Sequence, residues 1–105
     1  MKAWILVLVI LATCSLDGNA FSRGQRTRGE SVYAASGCAH CHSIRGVGGK
    51  KGPDLSDVGR RLKGSQMRKQ IVEGSKQMPP FGDDLQEIEL ADLIAYLHSC
   101  RDRKR

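Results

Sequence analysis

The chain has 105 residues, with 17 Lys and Arg against 11 Asp and Glu, a net charge of +6, and room for one domain. With two Phe and one Trp, it buries too little aromatic and aliphatic surface to make a large core unaided. The basic residues are not interleaved with aromatics, and the chain opens on an export-type segment, so a nucleic-acid partner is not expected.

Lys2 forms a positive start, Ala3 to Ala12 an apolar run, and Gly18-Asn19-Ala20 a small-residue cleavage position. This is the layout of a signal peptide over residues 1–20. The apolar run is shorter than the roughly 20 residues of a membrane-spanning helix. Export to the periplasm is therefore expected, with the charge unchanged because Lys2 and Asp17 leave together. Leu11-Ala12-Thr13-Cys14 resembles a lipoprotein processing site, although Thr13 fits it poorly. Membrane contact is expected only if Cys14 is lipidated or the leader stays uncleaved.

Residues 21–28 (FSRGQRTR) lack apolar periodicity and read as a flexible lead-in to a domain over 29–100. Gly29 to Gly37 predicts a short helix with Val32, Tyr33 and Ala35 as its apolar contacts and Gly37 as its stop. Cys38-Ala39-His40-Cys41-His42 follows. Two thiols three positions apart with an imidazole next is the pattern of covalent haem attachment. Two intervening residues let both sulfurs form thioethers with the haem vinyl groups, and the next side chain then lies over the macrocycle face.

Two other readings of the thiol pair are weaker. A thioredoxin-like site needs a βαβ setting, and the sequence shows none. Zinc would need ligands from His40, His42, His98 or Cys100, with no second CxxC or His pair to complete the set. His40 is expected to face solvent.

Gly46 to Pro53 reads as a loop and matches neither a P-loop nor a dinucleotide fingerprint. Lys50 and Lys51 read as a solvated edge. Ser65 is expected to cap a helix over 66–73, with Met67, Ile71 and Val72 inward and Gly74 as its stop. Met78-Pro79-Pro80 must be extended, because each residue before a proline is driven out of the helical region.

The last helix is the clearest. Asp84 is expected to cap it with Glu87 three residues on, and Leu90, Leu93, Ile94 and Leu97 form the apolar stripe. His98 suits the negative end of the helix dipole. Residues 101–105 read as a solvated basic tail. Cys100, left over once Cys14 is cleaved and two thiols are on haem, reads either as an intermolecular pairing site or free thiol, or as a partly buried, inert cysteine against the last helix. No strand signal is present, so the class is all-α.

Cys38-Ala39-His40-Cys41-His42, Gly52-Pro53-Asp54-Leu55, Met78-Pro79-Pro80-Phe81 and Asp92-Leu93-Ile94-Ala95-Tyr96-Leu97, in this order, resemble a small bacterial class I cytochrome c over nearly all of residues 29–100. The resemblance implies three to four short helices wrapped around one haem c, covalent through Cys38 and Cys41. It implies His42 as proximal iron ligand, Met78 as distal ligand, and the Pro53 carbonyl as acceptor for the proximal imidazole. Gly29 and Tyr96 match the positions where the first and last helices cross. A large flat cofactor would also supply the apolar volume that the composition lacks.

The expected role is a one-electron carrier rather than an enzyme, meeting redox partner proteins whose docking surfaces are acidic. The competing roles are a haem-bearing subunit of a larger redox enzyme, and a ligand-binding or peroxidase-type protein if Met78 leaves the iron.

Overall fold

The computed structural model describes residues 18–103. Cys14 and most of the leader read over residues 1–20 lie outside them. Helices carry the fold: α1 (Gly18–Ala35), α2 (Val58–Arg61), α3 (Gly64–Glu73) and α4 (Glu87–Ser99). A minimal antiparallel hairpin, β1 (Ser43–Ile44) with β2 (Val47–Gly48), departs from the all-α expectation. It turns through Arg45 and Gly46 at φ 50° and 79°, the positive pair that two-residue hairpin turns require.

The frame is the crossing of α1 on α4. At Gly29 an added Cβ would overlap the Asp92 carbonyl oxygen and lie 2.7 Å from Tyr96 Cβ, so only glycine lets the two backbones approach this closely. One turn on, the Tyr33 and Tyr96 rings meet edge to face at 5.7 Å and 60°, a favourable aromatic geometry. Arg28 Nε donates to the buried Asp92 carboxylate at 3.1 Å, which compensates its loss of water.

The crossing agrees with expectation, but α1 starts earlier than expected. Residues 21–28, read as a flexible lead-in, lie within it as helix. Extending a helix is cheap once a packed turn has nucleated it. Gln25 and the arginines are good helix formers, and the Thr27 hydroxyl donates to Arg23 O at 2.9 Å. Ala35, expected as a contact, is exposed.

Two helix starts also shift. α3 begins at Gly64 after Lys63, whose N–H is accepted by Gln66 Oε1 at 2.8 Å, so Ser65 lies inside the first turn rather than at the cap. α4 begins at Glu87 after Gln86, with Glu89 Oε1 accepting the Gln86 N–H at 3.0 Å. Asp84 does not cap it, because the Phe81 carbonyl accepts the N–H groups of both Asp84 and Leu85 at 3.1 Å and holds a separate turn there.

The core comprises Tyr33, Ile44, Val58, Met67, Ile71, Leu90, Leu93, Leu97 and Cys100, with Leu93 the most enclosed at 1% exposure. Cys100 is a buried free thiol. Its Sγ lies 3.5 Å from Tyr96 O as donor, and burial pushes its thiol up.

The start of the expected solvated tail is tied down. Arg101 Nη1 donates to Gly59 O at 2.6 Å, and Asp102 accepts both Arg45 Nε and Nη2 at 2.9 and 3.0 Å. With Gly59 N–H on Cys100 O and Asp102 N–H on Ser56 O, the segment after α4 clamps α2 and the hairpin turn. Among the described residues, no helix is long and apolar enough to cross a membrane.

Candidate cofactor site

The segment that follows α1 turns at Gly37 (φ 76°) into a single 3-10 turn over Cys38–His40. The Cys38 carbonyl accepts N–H groups from both Cys41 (3.3 Å) and His42 (3.0 Å), which winds the motif tightly. Cys38 and Cys41 are half-buried free thiols, and burial pushes the Cys38 thiol up. His40 is exposed, as expected, and so is His98 at the end of α4.

His42 is fixed from behind. Its Nδ1 lies 2.8 Å from the Pro53 carbonyl oxygen. A carbonyl only accepts, so Nδ1 carries a proton, and in the neutral ring Nε2 then holds the lone pair. Pro53 is held in position because Gly52 N–H donates to Cys41 O at 2.6 Å. A Cβ on Gly52 would stand 2.6 Å from His42 Cε1, so a larger residue there would turn the ring.

Cys38, His42 and Met78 line one apolar cavity, the kind of concave, mostly apolar surface that small-molecule and cofactor sites use. Its wall is mostly aliphatic: Leu55, Val58, Leu62, Met67, Ile71, Leu85, Leu93 and Leu97, closed by Phe81 and Tyr33. Cys41 and Pro53 do not line it; Cys41 follows the 3-10 turn, and Pro53 stands behind the imidazole.

The Met78-Pro79-Pro80 segment, in which Met78 lies in a bend, is anchored to the end of α3. Ser75 N–H donates to Met78 O and Phe81 N–H to Ile71 O, each at 2.9 Å. Gln70 Nε2 reaches Met78 Sδ at 3.6 Å.

Two cavity residues carry more than their sequence position suggests. Tyr33, read as an apolar contact, places its buried hydroxyl where no hydrogen-bond partner is found among the described residues. Burial, with Cys38 next in effect, pushes its phenol up to about 12. Gln70 gives no signal as a lone polar residue on a helix.

The lining of the cavity suits a large flat apolar cofactor. It offers an aliphatic wall, a histidine whose neutral ring keeps an open nitrogen lone pair and a buried hydroxyl able to donate to an acceptor. Among the described residues, no three His, Cys, Asp or Glu side chains converge as a metal-holding cluster, so a zinc site has no ligand set there.

A family model described as cytochrome C oxidase, cbb3-type, subunit III matches residues 24–97, more than half of the chain. No curated protein matches it.

Proposed function

The chain belongs to the family described as cytochrome c oxidase, cbb3-type, subunit III, and is a small c-type cytochrome; on that premise we propose that it is an exported monohaem electron carrier. One haem c is joined through Cys38 and Cys41, with His42 and Met78 as its iron ligands. It carries single electrons between a dehydrogenase or membrane redox complex and an acceptor. Bound in the cavity, the haem supplies a one-electron ferric/ferrous couple.

The observation that carries this reading is the pairing of His42, its Nδ1 held 2.8 Å from Pro53 O, with Met78 on the wall of the same cavity. Pro53 fixes the ring's orientation and makes Nε2 a stronger donor. Met78 offers a soft thioether, which favours the ferrous state and a high potential. The aliphatic wall offers little to hold water, and the anchored side chains limit rearrangement when the charge changes. Among the described residues, no charged side chain lines the cavity, which weighs against peroxide turnover, since that needs a positioned acid or base. Exposed Lys50 and Lys51 suit an acidic docking partner.

A second reading is a haem-bearing subunit of a larger redox enzyme, which the family's description as an oxidase subunit favours. Purification of the tagged protein from its native membrane and periplasmic fractions separates the two. A stoichiometric partner supports the subunit, and a lone monomer supports the carrier. The site itself is tested by Met78→Ala. The variant is expected to lose the sulfur-to-iron charge-transfer band of the oxidised protein and to show a lower potential. An unchanged spectrum would remove Met78 from the iron.

A further inference from the structure

We propose that Gln70 positions the Met78 sulfur and tunes it by hydrogen bonding, an inference that rests on the reading of Met78 as an iron ligand. The proline-rich backbone after Met78 is rigid, and Ser75 N–H holds its carbonyl at 2.9 Å. These restraints fix the main chain, whereas methionine has three rotatable side-chain bonds and a sulfur free to adopt many positions. The contact that reaches the sulfur itself is Gln70 Nε2 at 3.6 Å.

Gln70 belongs to α3, on an exposed position with water at hand. Its side chain nevertheless lines the cavity beside Met78, amid an almost wholly apolar wall. Holding a long amide there costs rotamer freedom, which its hydrogen bond must offset. The neighbouring turn of α3 buries Met67 and Ile71 against the core, so the amide is carried on a fixed platform.

Two consequences follow from the chemistry of a thioether. The sulfur has two lone pairs, and the amide N–H engages one, leaving the other for iron in a defined direction. The N–H also draws electron density from the sulfur and makes it a weaker donor. Ferric iron needs that donation more than ferrous iron does, so the hydrogen bond favours the reduced state. Gln70 is thus a positioning residue that raises the potential and keeps the sulfur in place against competing ligands.

The test uses haem-loaded protein with Gln70→Leu and Gln70→Ala. Ala is the best helix former and guards against a packing artefact of Leu. Haem content and helical circular dichroism identify any misfolded variant. Both variants are expected to keep the charge-transfer band while the reduced-to-oxidised ratio at fixed poise falls about three- to tenfold, tenfold being about 59 mV for one electron. Added imidazole is expected to displace the sulfur at lower concentration in both.

Potentials within twofold of the parent ratio, with unchanged imidazole binding, would overturn the role of Gln70. A shift in Leu but not in Ala would do the same. Met78→Ala separates this outcome from failure of the underlying reading. If that variant keeps the band, methionine ligation falls and the Gln70 proposal with it. If it loses the band while both Gln70 variants stay silent, only the Gln70 proposal falls.

Discussion

The proton on His42 Nδ1 is committed to the Pro53 carbonyl at 2.8 Å, which leaves Nε2 as the acceptor of the neutral ring. Gly52 enforces the same result sterically, since a side chain there would strike the imidazole. A second residue-scale device lies at the hairpin. Arg45, at φ 50°, spans Asp102 with two hydrogen bonds, and they hold the Asp102 carboxyl below the usual aspartate range. The folded value is the depressed one, so the pair stabilises the protein above the unfolded pKa of about 3.9. That contribution is lost as pH falls through the folded value. Denaturant midpoints of the parent and Asp102→Asn are expected to differ by a constant gap from neutral pH down to about 4, closing below it. Because the pair is exposed, the gap should also narrow with added salt. A gap independent of pH would show that the carboxylate contributes nothing.

At the scale of elements, the crossing of α1 and α4 is decided by one missing methyl group. Gly29→Ala should gain up to about 1 kcal/mol in helix propensity yet lose about 1–3 kcal/mol to overpacking against Asp92 O. Net destabilisation is therefore expected. Gly24→Ala in the same helix meets only the flexible end of Arg28, at 3.3 Å, and should be neutral or stabilising. Thermal unfolding of the two variants checks the contrast, and a stabilised Gly29→Ala would contradict the crossing. Sequence patterns revealed the helices that bury a face. Leu90, Leu93 and Leu97 mark α4 by spacing, and all three are buried. Residues 23–28 of α1 are exposed or half-buried, so no periodicity announced them. The hairpin strands, two residues each, are too short to show alternation, and the cap of α4 moved because the Phe81 carbonyl formed its own turn. Within the site, the thiol–imidazole motif was legible locally and Pro53 only through resemblance. Gln70 was not legible, because its role depends on where α3 places it beside Met78.

On the scale of the whole molecule, the helices α1 to α4 and a clamp after α4 frame an aliphatic cavity. Among the described residues its aromatic filling is Phe81 and Tyr33, so much of the apolar contact that would stabilise so small a domain must come from what the cavity holds. The same frame brings the iron ligands proposed at His42 and Met78 onto one cavity wall and leaves partner choice to the outer surface. The central claim is covalent attachment of one haem, and its most direct test is the intact mass under denaturing conditions of protein exported by cells with haem-attachment machinery. The expected mass is that of the chain without residues 1–20 plus one haem, with the added mass absent from the Cys38→Ala/Cys41→Ala variant. A bare polypeptide mass, or haem that separates in denaturant, would contradict the account.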